Sequence, residues 1–449
     1  MKICFMQSSQ ACGRYISECR QIVANLEECE VTIIPSEADV IVQFFCVETE
    51  RCIEEAATQL HYIGKIKKAN AKLFVAGCAA NVLGDEFLSF PDVDYVVQRK
   101  PVAKAVLEKL GCSKCENKYY LGDDMPFDIS LEISNGCQKK CGPCSFCFQG
   151  ITGIPVRSKP MDYLLTAVKN STDAGARRVS LLALNTCNYG IDFPEHKPLL
   201  HELIRKVSNI NNAKVIDVYS LTIANMYPEL VQELVTNPKV GLVEMGIQCG
   251  SNHLLQIMNT GATLEKTEKL IQAIVPNKKF KTIVIVGHPG ETEEDFEQTI
   301  SLLQKYNLWH TQVNPFMCVE GTKASKMEQI PTEVVRKRYE KILQVLSEMK
   351  KQYLNSLLGT RVKAYIIEAH IQKDSSIKVK MEGVLSPIIF VYTCSEEEYK
   401  RKFGNKEVFD IVTCVAQEVI NYEKTPIIFV SEIEEWSQNE YAWKVVKIT

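Results

Sequence analysis

The apolar positions of this chain fall into short runs separated by amphipathic stretches. "KICFMQ", "EVTIIP", "DVIVQFF", "AKLFVAG" and "VDYVV" are rich in β-branched and aromatic residues and read as strands. "ERCIEEAATQLHYIGKIKKA" and "PVAKAVLEKL" lie among them with apolar residues at helical spacing. The alternation predicts a small parallel α/β domain over residues 1–118. A charged, tyrosine-bearing connector, "ENKYYLGDDMP", follows.

The same alternation resumes from 130 to 345. "RRVSLLAL", "AKVIDVYSL", "VGLVEMGI", "KTIVIVG" and "TQVNPFM" are candidate strands, and "MDYLLTAVKNSTDAG", "PLLHELIRKVSN", "PELVQELVTN", "LEKTEKLIQAIV" and "EEDFEQTISLLQKY" candidate helices. Five or six such units predict a partial or complete βα barrel, whose chemistry sits at the C-terminal ends of its strands. Periodicity alone leaves a doubly wound sheet open. A helix is expected from Pro331 to about Leu358, with proline in its first turn and Gly359 as its stop. Residues 360–449 are mostly strand-like, with a helix near "CSEEEYKRKFG", and predict a β-rich substrate-binding module.

Composition narrows this α/β reading. There is no run of 18 apolar residues and no signal-peptide pattern at the start, which predicts a soluble, cytoplasmic chain with no membrane contact. With 52 basic and 55 acidic residues the net charge is −3, so a strongly basic nucleic-acid surface gains no support. The 18 cysteines are spread over the whole length, unlike a small disulfide-stapled scaffold, and predict reducing conditions with some thiols on metal. Cys29, Cys318, Cys394 and Cys414 read as buried small hydrophobes.

Two sets of cysteines carry chemistry. Cys12, Cys46 and Cys78 each follow a predicted strand, and in a parallel sheet such positions converge on one edge. "SNGCQKKCGPCSFCFQG" holds Cys137, Cys141, Cys144 and Cys147, with Gly136 and Gly142 letting the backbone turn tightly around a cage. Four thiolates would also suit a closed zinc site in a non-catalytic binding scaffold. Cys112 and Cys115 form a further pair, either redox-active or simply ending a helix.

Cys137, Cys141 and Cys144 match the C-x3-C-x2-C signature of radical S-adenosylmethionine enzymes, and the chain as a whole resembles their methylthiotransferase family. "NTCNYGID" with Asn185, "GIQCGSNHLLQIM" with Gln248, "VGHPGETEEDF" with Gly287, Pro289 and Gly290, and "EGTKA" follow the family's motifs in order. The resemblance implies an enzyme with two [4Fe-4S] clusters, one on Cys12, Cys46 and Cys78 and one in the 137–147 stretch. It also implies bound S-adenosylmethionine and an electron donor such as flavodoxin or ferredoxin. Asn185, Gln248, Gly287, Pro289, Gly290 and Arg157 are the expected cofactor contacts, with Lys159 beside the last. One iron of the radical cluster must stay open, so only three of the four clustered cysteines can bind. The shorter loop favours Cys137, Cys141 and Cys144. A second register, Cys137, Cys144 and Cys147, places Phe146 where the family has an aromatic residue.

The chain departs from the family at Arg178, Ala183, Leu184, Cys249 and Ile283, and lacks the glycine pattern of its C-terminal RNA-binding module. The resemblance implies carbon–sulfur bond formation, in this family most often on transfer RNA. The slightly acidic chain and its nearly charge-balanced, β-rich C-terminal module instead make a peptide or protein side chain the expected substrate, with transfer RNA as the alternative. An exposed strand edge in the C-terminal module would hold an extended peptide.

Overall fold

A computed structural model describes residues 1–7, 13–26, 28–46, 50–98, 102–112, 128–404, 406–420 and 427–434. Cys12, Cys115, the tyrosine-bearing connector and the expected last strand lie outside them.

The first unit contains β1 (Lys2–Gln7), α1 (Gly13–Ala24), β2 (Glu30–Val31), β3 (Val40–Phe44), α2 (Glu50–Ile66), β4 (Lys72–Ala76), α3 (Cys78–Val82), α4 (Gly84–Leu88), β5 (Tyr95–Val96) and α5 (Val102–Lys109). Its strands are all parallel, in the order β2-β1-β3-β4-β5. β3 is buried along its whole length, which explains its unbroken apolar run. In this doubly wound arrangement the strand order reverses between β1 and β3, where such folds bind ligands.

The second unit runs through β6 (Asp128–Glu132), β7 (Ser134–Asn135), α6 (Gln149–Thr152), β8 (Arg157–Ser158), α7 (Met161–Asp173), β9 (Arg178–Leu182), α8 (Leu200–Ser208), β10 (Val215–Thr222), α9 (Pro228–Thr236) and β11 (Val240–Gln248). It continues with α10 (Asn252–Ile257), α11 (Leu264–Ile274), β12 (Lys279–Val286), α12 (Glu293–Lys305) and β13 (Thr311–Pro315). Six strands pair in parallel in the order β13-β12-β11-β10-β9-β6 and do not close, so the expected barrel is a partial one. Helix α1 covers the β6 edge: the Ser17 hydroxyl accepts a hydrogen bond from the Glu132 amide, and Gln21 donates to the Tyr163 hydroxyl at 2.6 Å.

Helix α13 (Thr332–Leu357) crosses the barrel and ends where expected, before Gly359. Beyond it, β14 (Arg361–Ile371), β15 (Ile377–Gly383), β16 (Ile389–Cys394), α14 (Glu396–Phe403), β17 (Ile411–Ile420) and β18 (Ile427–Glu434) form a closed barrel in the order β14-β15-β16-β18-β17. All pairs are antiparallel except β16 with β18, which return side by side after the α14 excursion. This is a five-stranded Greek-key barrel. Each strand has a neighbour on both sides, but among the described residues β14 beyond Ile366 and β16 beyond Val391 are strand-paired on one side only.

The module docks at the N-terminal ends of the radical-barrel strands. Glu382 of β15 is ion-paired with Arg178, the first residue of β9, and with Lys279, the first of β12. The Phe409 ring stacks 4.6 Å from the Arg178 guanidinium. Cys394 and Cys414 are buried as expected, but Cys318 is exposed and Cys29 half-buried, because both sit on connections rather than inside core strands. Among the described residues no helix is long and apolar enough to cross a membrane.

Candidate active site

A cavity of about 790 Å³ runs down the half-barrel lumen and opens toward the first domain. Its floor is charged, with Asp128, Arg178, Glu244 and Lys281 near the starts or middles of their strands. Higher up, Leu182, Ala183, Leu184, Ile283 and Ile285 make an apolar wall. Three thiols line the same space: Cys46 and Cys78 from the first domain and Cys147 from the second. Cys46 and Cys78 follow neighbouring strands of the first sheet, and Cys147 reaches the same space from the second unit.

Cys46 follows β3 and Cys78 follows β4. The Cys78 amide donates to the Tyr15 hydroxyl at 2.8 Å, which in turn donates to the Phe45 carbonyl at 3.3 Å. Phe148 and Ile151, just beyond Cys147, pack into the core that holds Cys78, so the two units are joined at the thiols.

The four-cysteine loop leaves β7 and is held by neighbours far along the chain. Lys139 is buried; its ammonium lies 2.6 Å from Cys144 Sγ and 3.2 Å from the Thr260 carbonyl. Asn185 donates to Cys137 Sγ at 3.5 Å and to Asn225 Oδ1 at 3.0 Å, while its own Oδ1 is buried without a partner. Burial raises the Cys137 thiol above its ordinary range, with Asn185 and Lys139 working in the opposite direction. Among the described residues no three potential ligands are grouped to hold a single metal ion. A four-iron cluster, which takes each cysteine on a different iron, spaces its thiols more widely.

Gln248 ends β11 at a bulge with φ of 71°, a left-handed conformation that is costly for a side-chain-bearing residue, and it lines the cavity. Gly287 has φ of 85°, and a Cβ there would lie 2.6 Å from Val335 of α13. The turn of Gly287, Pro289 and Gly290 is therefore clamped from behind. The Gly287 amide donates to Glu291 Oε2 at 2.8 Å, and Arg338 donates to that oxygen at 2.8 Å and to the Glu291 carbonyl at 3.1 Å. Burial raises the Glu291 carboxyl; the Gly287 amide and Arg338 oppose the rise.

His288 is fully buried and ties this turn to the cysteine loop. Its Nδ1 lies 2.8 Å from the Pro289 carbonyl, so it must carry the proton there. Nε2 then accepts from the Ser145 hydroxyl at 2.9 Å. Burial lowers the ring's pKa to about 4, which keeps it neutral. Phe146 and Phe316 pack edge-on against it at 6.1 and 5.1 Å.

Arg157 is not among the cavity-lining residues: it is exposed on the short antiparallel β7–β8 ladder that closes the base of the cysteine loop. Lys159 faces the buried Glu18 and Glu132 carboxyls at the domain boundary instead. Tyr15, Ser145, His288 and Arg338 were not singled out by the sequence. His288 sits inside a quoted motif, whereas nothing local marks Arg338.

Comparison with known proteins agrees with this architecture. Residues 131–303 match the model of the radical SAM superfamily. The chain is 32% identical to a tRNA-2-methylthio-N(6)-dimethylallyladenosine synthase of Nitratiruptor sp., over 77% of this chain and 83% of that one. It is 26% identical to the ribosomal protein uS12 methylthiotransferase RimO of the same organism, over 80% and 84%. Among solved structures, the radical S-adenosylmethionine methyltransferase TsrM of Kitasatospora setae superposes with a TM-score of 0.52 at 11% identity, covering 72% of this chain and 76% of that one, a likeness of fold. Catalytic sulfur transfer using S-adenosylmethionine and iron–sulfur chemistry follows from these relationships. The chain belongs to the methylthiotransferase family of radical S-adenosylmethionine enzymes, as a divergent member.

Proposed function

We propose that the chain attaches a methylthio group to an unactivated carbon of a transfer RNA nucleoside. The C-terminal module carries this reading. Its closed Greek-key barrel belongs to a class that binds oligonucleotides. The module sits at the far end of the half-barrel from the cysteines, so one substrate touching both must be long, as a folded RNA is. Relatives at 32% and 30% identity bear the name of a tRNA methylthiolation enzyme.

Two [4Fe-4S] clusters complete the proposal, one on Cys12, Cys46 and Cys78 and one in the 137–147 stretch. The thiol-lined cavity and the unpartnered Asn185 Oδ1 fit such groups. When bound, they and S-adenosylmethionine supply the radical that takes hydrogen from carbon and the sulfur that replaces it, with electrons from a flavodoxin- or ferredoxin-type donor. In this reading Asn185, Gln248 and the Gly287–Gly290 turn orient the cofactor, while Leu182, Leu184 and Ile283 keep water from the reacting carbon.

Anaerobic turnover of the reconstituted protein with cellular RNA, and separately with uS12 and other peptides, tests the substrate. A nucleoside heavier by a methylthio group in place of hydrogen is expected. The same gain confined to a protein side chain would overturn the RNA assignment.

A further inference from the structure

Two adjacent lysines inside the four-cysteine loop have opposite fates. Lys140 is exposed, as a charged loop residue ordinarily is, whereas Lys139 is only 9% exposed. The loop's own hydrogen bonds hold this arrangement. The Gln138 amide donates to Asn188 Oδ1 at 2.8 Å, and the Gly142 amide donates to the Lys139 carbonyl at 3.0 Å. Residues 139–142 thus form a tight turn, and the Lys139 side chain runs inward from it toward the chain at Asn259 and Thr260.

The Lys139 ammonium ends among three acceptors: Cys144 Sγ at 2.6 Å, the Thr260 carbonyl at 3.2 Å and the Asn259 carbonyl at 3.4 Å. None is a carboxylate, and among the described residues no carboxylate is ion-paired with it. Arg338 and Lys279, comparably buried, instead meet Glu291 and Glu382. Carbonyl dipoles solvate an ammonium without neutralising it, and a buried charge left without an opposite one costs several kcal/mol. Of the three acceptors only the Cys144 sulfur can become an anion. Cys144 belongs to both sets of three cysteines that the loop allows, so the contact does not depend on which set binds.

We propose that Lys139 is the fixed counter-ion of the radical cluster: its ammonium donates to the Cys144 sulfur and offsets the negative charge gained on reduction, so the cluster accepts an electron at a higher potential. This rests on the cluster reading above. Net charge, hydrogen bonds to the sulfurs and solvent exposure are the factors that set such potentials, and Lys139 supplies the first two in a place where burial limits screening. It acts through Cys144 and is a positioning residue rather than a catalytic one.

The test uses the full chain, reconstituted anaerobically after growth on lysine labelled with heavy nitrogen at Nζ alone. Pulsed electron paramagnetic resonance of the reduced protein should show coupling to that nitrogen on the signal that responds to S-adenosylmethionine. The coupling should persist in Lys140→Met and vanish in Lys139→Met. Because it is read first in the unsubstituted protein, misfolding of a variant does not obscure it. A redox titration of the same signal gives the second readout. In Lys139→Met the ratio of reduced to oxidised cluster at a fixed potential should fall roughly tenfold, a shift of about 59 mV for a one-electron couple. Lys139→Arg should recover part of that loss, and Lys140→Met should show none. No coupling in the unsubstituted protein, or an unshifted titration in a Lys139→Met protein that keeps its iron, would overturn the assignment. A reconstituted protein with no signal that responds to S-adenosylmethionine would instead overturn the cluster reading, and the role of Lys139 with it.

Discussion

Arg338 stands 47 residues from Glu291 in sequence, yet its guanidinium reaches that carboxylate and the main-chain carbonyl of the same residue, beside the Gly287 turn. Both side chains are nearly inaccessible, at 9% and 1% exposure, so removing the cation strands a buried carboxylate. Arg338→Met should cost about 3–5 kcal/mol in denaturant unfolding and weaken S-adenosylmethionine binding measured by calorimetry. Arg338→Lys should recover only part of the loss, since an ammonium lacks the planar fork. Unchanged stability and affinity in both would remove the clamp from the account. Asp295 offers a pH handle. Burial alone would raise its pKa, but hydrogen bonds from Ser251, Thr292 and His253 bring it down from 3.8 to about 2. A depressed carboxyl stabilises the fold above its unfolded pKa and loses that contribution as pH falls toward the folded value, here between 3.8 and about 2. Asp295→Asn should flatten the acid limb of stability across that window, and an unaltered limb would contradict it. The residues of the Gly287 turn were legible because their chemistry is local. Arg338 was not, because helix periodicity shows a charged position without saying what it meets.

At the scale of elements, the C-terminal barrel is latched to the radical barrel by one carboxylate between two cations. Glu382 is 15% exposed, Arg178 16% and Lys279 6%, which makes this a largely buried group rather than a surface pair, with Asp217 3.6 Å from Arg178 as a further carboxylate. Glu382→Ala leaves two cations without their shared partner and should destabilise the chain by about 3–5 kcal/mol, read as a lowered unfolding midpoint. A shift no larger than that of a surface substitution would show that the latch contributes little. The strands and the long helix ending before Gly359 were legible from apolar spacing, because the core face of each element writes its own period. Closure was not. The pairing of β16 with β18 joins Ile389 to Ile427 across an intervening helix and strand, and no local pattern records it. The same holds for the cysteine loop, where Asn259 orients Cys141 from 118 residues away, beyond the reach of spacing rules.

For the molecule as a whole, the arrangement is a half-barrel covered on its open side by a doubly wound domain and closed below by a five-stranded β-barrel. The strand-end positions of Cys46 and Cys78 were legible as a convergence within one sheet, but not their meeting with Cys147 across two units, which depends on how α1 and α6 dock. In the proposed division of labour, the barrel's cysteines serve cofactor cleavage and the first domain's serve sulfur delivery to the same cavity. Cys78→Ala, assayed anaerobically with S-adenosylmethionine, reductant and cellular RNA, separates the two. The variant is predicted to cleave S-adenosylmethionine while leaving RNA without a methylthio group. Methylthiolation that persists, or cleavage lost along with it, would contradict the account.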